Sequence, residues 1–478
     1  MSTEANSEIQ KAFGNKRIHI LGVAGTLMGA FAVFLKKNGI EVTGSDQNIY
    51  PPMSDVLKNA GVEVFTPFAA ANLEKAKPDL VIVGNVIRKV NVEMEAVAAA
   101  NLPYESLPSF LEKMILPHKH SIVVAGTHGK TTTSSMMTWV LESLGEKPSF
   151  FVGGVLHNFT ESFRITDSKF MVLEGDEYDT AFFDKIAKFT HYLPKDVILT
   201  SIEYDHADIY PDMKSVVEAF TKLMLLVPAN GNVVVCSEAE TPLRVANKTN
   251  AEITTYGFSE IADSYAMNID MSSGGCVFNW HFKNHVHKVK IPVPGRHNIL
   301  NALSVLTLCA VRGLDLDAAI AAFANYKGVK RRQEIYGQSG GITLIDDFAH
   351  HPTAVRETLN AIKGKYPQSR IVACFEPRSA TSRRKVFQQA YAESFDSADT
   401  IFISKPYDQS TLNSSEQFST EELLADFKKR NKRAKILATT PVGIKDLSSE
   451  LRSGDVVVVM SNGGFDGLLP KLLELIRK

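Results

Sequence analysis

Short apolar runs, each closed by a cluster of glycine, hydroxyl or charged residues, recur along the chain with helical spacing between them. Near the start, Arg17-Ile18-His19-Ile20-Leu21 reads as a buried strand, and Gly22-Val23-Ala24-Gly25-Thr26-Leu27-Met28-Gly29 as the turn after it. An apolar helix then runs to Asn38; a second strand, Ile40 to Gly44, ends at Ser45-Asp46; a third, Leu80 to Gly84, follows a Pro-Asp turn. The same rhythm predicts strands at Phe170–Leu173, Val197–Thr200, Ile342–Ile345, Arg370–Phe375, Thr400–Ser404 and Asp455–Met460. Continuous apolar strands alternating with helices predict parallel sheets covered on both faces. Residues 251–293 break the rhythm. There Ala251–Tyr256, Tyr265–Met271, Val277–Phe282 and Val286–Val293 predict short antiparallel strands joined by Ser-Ser-Gly-Gly and Lys-Asn turns.

At 478 residues the chain exceeds one ordinary core, and about three domains are expected. The pattern divides it into segments 1–117, 118–327 and 328–478, with Lys330-Arg331-Arg332 beside the second boundary. The fold class is therefore α/β: a Rossmann-like first domain, a central phosphate-loop α/β domain with a small antiparallel subregion, and a Rossmann-like third domain. Composition is that of a globular protein, and a net charge of −1 argues against nucleic acid or an anionic membrane as main partner. The four cysteines lie far apart without a CxxC pair, which predicts reduced, buried thiols and a cytoplasmic location. Met1–Gln10 is polar and acidic, unlike a signal peptide, and no apolar run reaches the length of a membrane span.

The strongest chemical signal is Val123-Val124-Ala125-Gly126-Thr127-His128-Gly129-Lys130-Thr131-Thr132, an apolar strand entering a small-residue turn, with a helical pattern over Ser134–Leu144. Small residues let backbone N–H groups wrap phosphates, and a helix N-terminus adds positive potential. Lys130 suits the β/γ-phosphates of ATP and the Thr131 hydroxyl suits Mg²⁺. Val124 stands where the strict pattern wants glycine. Glu174-Gly175-Asp176-Glu177 and Glu203-Tyr204-Asp205-His206 each follow an apolar strand, where open α/β sheets place ligands. Gly22, Gly25, Thr26 and Met28 belong to a turn able to hold a pyrophosphate, with Asp46 placed for a ribose or base contact; a plain packing turn is the competing explanation. His297-Asn298 opens a long apolar helix and suits either a nucleobase or a helix cap. His281, His285 and His287 have metal-like spacing without an acidic or thiol partner, and surface histidines are the simpler reading. In the third segment the strands end in Asp346-Asp347-Phe348-Ala349-His350-His351, Glu376-Pro377-Arg378-Ser379 and Ser461-Asn462-Gly463-Gly464-Phe465.

Taken together, Gly126–Thr131, Glu174, His206, His297-Asn298-x-x-Asn301, Arg332 and Asp346-Asp347-x-Ala349-His350-His351-Pro352 occur in an order that resembles the Mur ligase family, the ATP-dependent amide-forming enzymes of peptidoglycan assembly. The resemblance implies a UDP-sugar domain, an ATP domain and a domain for the incoming amino acid or peptide. Val42–Ser54, including Tyr50-Pro51-Pro52, with Asp179–Lys185, Glu203–Ile209, Glu376–Ser379 and Val459–Phe465, is most similar to the branch that recycles a murein tripeptide. Relatives that add L-alanine typically show Pro-His-Arg where this chain has Pro377-Arg378-Ser379. The implied substrates are UDP-N-acetylmuramate and L-alanyl-γ-D-glutamyl-meso-diaminopimelate, with ATP and Mg²⁺. Lys214 and Lys222 lie in no motif matching the carbamylated lysine of some members.

The implied chemistry is activation of the muramate carboxylate as an acyl phosphate, then attack by the peptide amine. Lys130 would serve the phosphates and the transition state; Thr131, Glu174 and His206 the metal; His297 and Asn298 the adenine. Arg332 and Asp346 would complete the nucleotide site on closure, His350 or His351 would handle the amine, and Arg378, Ser379, Ser461 and Asn462 would contact peptide. Three other readings stand beside this one: an L-alanine-adding ligase, a non-catalytic nucleotide-binding regulator of the same fold, and an ATPase or kinase without ligation.

Overall fold

The computed structural model describes residues 14–49, 53–271 and 274–477; Met1–Gln10, Tyr50-Pro51-Pro52 and Ser272-Ser273 lie outside the described residues. The chain divides into two compact units, residues 14–203, 214–265 and 301–327, and residues 204–213, 266–300 and 328–477.

In the first unit, β1 (Ile18–Leu21), β2 (Val42–Ser45), β3 (Glu63–Phe65), β4 (Leu80–Val83) and β5 (Tyr104–Ser106) form a parallel sheet in the order β3-β2-β1-β4-β5. Helix α1 (Thr26–Lys37) completes the expected βαβ unit. Strands β3 and β5 have three residues each and carry Glu63, Tyr104 and Glu105, too few apolar positions to show a period.

A second sheet in this unit holds β6 (His120–Ala125), β7 (Ser149–Phe151), β8 (Phe163–Arg164) and β9 (Phe170–Gly175). A separate antiparallel hairpin follows, β10 (Asp179–Ala181) and β11 (Asp184–Ala187). The sheet resumes with β12 (Asp196–Leu199), β13 (Asn232–Cys236) and β14 (Glu252–Gly257), giving the order β14-β13-β12-β6-β9-β7-β8. Within that stretch of sheet only β7 and β8 pair antiparallel. The expectation that residues 251–256 begin an antiparallel region is corrected: β14 lies parallel to β13, and β15 (Ser264–Asp270) starts parallel to β14. The helix Glu240–Ala246 between β13 and β14 supplies the crossover that parallel pairing needs. Aromatic contacts tie the sheets' layers together, with Phe163 edge-on to Phe31 and Phe34 of α1.

In the second unit β16 (Cys276–Phe282) and β17 (His285–Ile291) make the antiparallel hairpin expected there. A six-stranded sheet is built from β18 (Glu334–Ser339), β19 (Ile342–Asp347), β20 (Ile371–Phe375), β21 (Thr400–Ile403), β22 (Arg433–Ile436) and β23 (Val456–Met460), in the order β18-β19-β23-β20-β21-β22. Only the edge strand β18 is antiparallel. Apolar clusters cover both faces, one around Leu359, Phe375 and Phe427, the other around Leu344, Phe402 and Leu472. Parallel register sets Asp347, Met460 and Phe375 side by side, so the loops after β19, β23 and β20 emerge together at one sheet edge.

Candidate active site

The chain leaves β6 at Gly126 (φ +137°) and enters helix α2 (Lys130–Ser143) through Gly129 (φ +82°). Both glycines are required. A Cβ on Gly126 would lie 2.1 Å from Thr200 Oγ1, and one on Gly129 would lie 2.7 Å from Asn301 Oδ1. The residues after β12 hold the loop from below: Thr127 N donates to Ser201 O (2.8 Å), His128 N to Ser201 Oγ (3.0 Å), and Glu203 N to Thr127 Oγ1 (2.8 Å). His128 Nε2 stands 3.5 Å from the Glu203 carboxylate.

Lys130 reaches back over the loop. Its ammonium donates to Gly126 O (2.7 Å) and to Glu177 Oε2 (2.7 Å). Burial alone lowers its pKa, but Glu177, Asp176 and Glu174 outweigh this and raise it above the usual lysine value. Asp176 is itself disfavoured as an anion by burial, yet Lys188 and Lys130 hold it down at about 2. Thr131 Oγ1 donates to Glu174 Oε1 (2.6 Å), whose other oxygen accepts from Gly153 N (2.6 Å). Thr132 shares the first turn of α2. The expected Lys130, Thr131 and Glu174 are thus brought together, with Glu177 added.

In the first sheet's turn, Gly22 is left-handed (φ +80°) and its N–H meets Ser45 O at 2.8 Å. Asp46 is tied into this turn, accepting from Ala24 N at 2.9 Å. Gly25 starts α1 without a side-chain cap, Thr26 is exposed, and Met28 lies against Gly84.

The second unit carries the remaining candidates. His206 is left-handed (φ +54°), and its N–H donates to Asp205 Oδ1 (2.7 Å). Burial would raise the Asp205 pKa, but His206, His350 and His351 hold it well below the ordinary carboxylate range. The two neighbouring histidines separate in role. His351 caps helix α4 (here Pro352–Lys365, after α3, Arg296–Val311): its Nδ1 accepts from Thr353 N (3.3 Å), so Nε2 carries the proton and donates to Tyr204 O (3.2 Å). His350 donates Nδ1–H to Phe348 O (3.1 Å), leaving a basic Nε2 3.9 Å from Asp205. Burial lowers the His350 pKa, partly offset by Asp205.

Asp346 pairs with Arg331, Nε to Oδ2 at 3.2 Å, and Arg331 Nη2 also donates to Ser461 O and Gly463 O (both 2.7 Å). Arg332 instead lies over the Phe348 ring, 5.0 Å from its centroid. Burial, then the Arg332 charge, lowers the His297 pKa to about 4. Gln333 Nε2 donates to His297 Nε2 (3.1 Å), and Asn298 Nδ2 donates to Pro294 O (2.7 Å). Arg378 Nη1 donates to Glu376 Oε1 (3.3 Å), and Ser461 Oγ to Glu376 Oε2 (2.5 Å). Ser379 caps its own turn through Ser382 N (2.9 Å), and Asn462 Oδ1 is buried without a hydrogen bond. His281 pairs opposite Val286 while His287 pairs opposite Trp280, so His281 and His287 lie on opposite faces of the hairpin and form no common ligand set.

Family models match in chain order: the Mur ligase family catalytic domain over residues 17–119, the Mur ligase middle domain over 124–309, and the Mur ligase glutamate ligase domain over 331–463. The UDP-N-acetylmuramate–L-alanyl-γ-D-glutamyl-meso-2,6-diaminoheptandioate ligase of Escherichia coli K12 is 37% identical over 97% of this chain and 98% of its own length. The chain belongs to the Mur ligase family. Among other members, the UDP-N-acetylmuramate–L-alanine ligase of Caldanaerobacter subterraneus is 31% identical over 97% of this chain and 98% of its own. The crystal structure of a murein peptide ligase from Psychrobacter arcticus 273-4 superposes with a TM-score of 0.72 at 33% identity, covering 96% of this chain and 98% of that one.

Four residues that the sequence offers without a role are given partners by the structure: Glu177, Asp205, Arg331 and Glu376. Glu177 and Asp205 are visible as acidic residues after strands. The pairings of Arg331 with Asp346 and of Glu376 with Ser461 span 15 and 85 residues and leave no mark in the local sequence; only Arg378, the other partner of Glu376, is near it in the chain.

Proposed function

We propose that this Mur ligase joins the carboxylate of UDP-N-acetylmuramate to the amine of L-alanyl-γ-D-glutamyl-meso-diaminopimelate at the expense of ATP, in cell-wall peptide recycling. The observation that carries the reading is the Lys130–Thr131 turn. There an ammonium and a hydroxyl, each held by a carboxylate, sit at a helix N-terminus in a chain with the tripeptide ligase's length and 37% of its sequence. Residues 1–117 are assigned to the UDP-sugar, 118–327 to ATP and 328–478 to the peptide.

A carboxylate is a poor electrophile. Transfer of the γ-phosphoryl group to it gives an acyl phosphate and ADP; amine attack then forms the amide and releases phosphate. Charge accumulates in both steps, so positioning and electrostatics carry the catalysis. Lys130, kept charged by its three carboxylates, serves the transferring phosphoryl group. Thr131 and Glu174 fit Mg²⁺, since two hard oxygen donors already meet at 2.6 Å, and His206 is a further candidate ligand. Bound there, Mg²⁺ would neutralise phosphate charge. His297 and Asn298 are assigned to adenine, with Arg332 and Asp346 as further nucleotide-binding residues. The Gly22–Met28 turn with Asp46 is assigned to the UDP-sugar, and Arg378, Ser379, Ser461 and Asn462 to the peptide.

The incoming amine arrives as an ammonium and must lose a proton. His350 suits that role because burial favours its neutral form, its lone pair is on Nε2, and Asp205 stabilises the imidazolium that forms. His351, committed to capping, is a structural neighbour. Supply of ATP and UDP-sugars, together with four buried free thiols, supports a cytoplasmic location. Among the described residues no helix is long and apolar enough to cross a membrane.

The test is product analysis by mass spectrometry with ATP, Mg²⁺, UDP-N-acetylmuramate and tripeptide. The expected result is the UDP-muramoyl tripeptide with equal amounts of ADP and phosphate, and none with Lys130→Ala. ADP release without amide would overturn the reading.

A further inference from the structure

Two side chains assigned to the peptide, Arg378 and Ser461, share one partner that the mechanism does not use. Glu376 directly follows β20 and is 3% exposed, one carboxylate oxygen accepting from Arg378 and the other from Ser461. The rest of Arg378 is boxed in. Its guanidinium carbon lies 3.8 Å from the Tyr407 ring centroid, and it crosses Gly463 so closely that a Cβ there would fall 2.2 Å from Nε. Arg331 pins the same 461–463 turn through two carbonyls.

We propose that Glu376 is the positioning residue for recognition of the distal carboxylate of the peptide. It is buried too deeply to be a substrate contact. It orients Arg378 from behind, so that the guanidinium edge turned away from Glu376 is set in advance for an anion. Preorganisation of this kind removes the conformational cost of fixing a long cationic side chain at binding. The ligand class is a peptide whose last residue carries a second carboxylate, as diaminopimelate does and lysine does not. The inference rests on the tripeptide reading above.

The experiment is a double-mutant cycle read as a specificity ratio. Initial rates give kcat/KM for two tripeptides, one ending in meso-diaminopimelate and one in L-lysine, for wild type, Glu376→Gln, Arg378→Ala and the double variant. Wild type prefers the diaminopimelate peptide. Arg378→Ala lowers that preference roughly 10- to 100-fold through KM. Glu376→Gln lowers it about tenfold, again through KM, and the double variant is no worse than Arg378→Ala within about twofold. If Glu376→Gln fails to fold, Glu376→Asp, which keeps the charge on a shorter arm, replaces it in the same cycle. Additive losses in the double variant, or a Glu376 variant that slows both peptides equally, would overturn the proposal while leaving the tripeptide reading intact. A wild type that ignores both tripeptides overturns the proposed function and this inference with it.

Discussion

At the scale of single residues, the phosphate loop is an exercise in keeping one ammonium charged where burial opposes it. Lys130 manages this because Glu177 and the main-chain carbonyl of Gly126 both accept from it. Lys130→Ala should therefore lower kcat by at least about a thousandfold, as loss of a transition-state charge partner does, with the fold retained by circular dichroism. Thr131 and Glu174 are readable in the sequence because they sit in a contiguous motif or end a buried strand. Arg331 is not, since the chain offers Lys330-Arg331-Arg332 and only the fold shows that the middle side chain meets Asp346. His297 gives a pH prediction. Its pKa is lowered to about 4 in the folded protein against about 6.5 unfolded, so the unfolded chain binds more protons between those values. Its contribution is complete above pH 6.5 and is lost as pH falls toward 4. Thermal midpoints from about pH 7.5 to about 4.5 should fall less steeply in His297→Gln than in wild type; parallel curves would contradict this.

At the scale of elements, the parallel strands are readable as apolar runs, and their loops give the site because parallel register brings strand ends level. The pattern misleads at β14. Its burial alternates, the signature of a half-covered strand, and alternation suggests antiparallel pairing although the preceding helix dictates a parallel neighbour. The β10–β11 hairpin escapes the pattern because four of its nine residues, Asp179 to Ala187, are charged or hydroxyl-bearing and fall without a period. It nevertheless delivers Phe182 to the core beside β4. The element most sensitive to a single atom is the turn between β6 and α2. Gly126→Ala would place its methyl against Thr200 Oγ1 and force a residue with a side chain to φ +137°. The expected cost is about 1–3 kcal/mol from the backbone alone, with nucleotide binding lost in a titration that wild type passes. A Gly126→Ala variant of unchanged stability and affinity would mean that the turn is far softer than its contacts indicate.

At the scale of the molecule, the order of motifs along 478 residues carries more information than any one of them. Glycine loops, acidic strand ends and His–Asn turns are each common, but their succession from Gly126 to Pro352 is not. Pairings between loops, above all Glu376 with Ser461, depend on which strands become neighbours, and no local pattern encodes that. If the first segment binds UDP-N-acetylmuramate and the second ATP, each ligand alone should raise the thermal midpoint, by an amount equivalent to about 2.7 kcal/mol at a hundredfold excess over Kd. Lys130→Ala should abolish the shift with ATP and keep that with the UDP-sugar. What the third segment accepts is read from phosphate release with ATP, Mg²⁺ and UDP-N-acetylmuramate, comparing L-alanine and L-alanyl-γ-D-glutamyl-meso-diaminopimelate as acceptors. Release with the tripeptide and essentially none with L-alanine is the expected result; release with L-alanine and none with the tripeptide would move the chain to the L-alanine-adding branch.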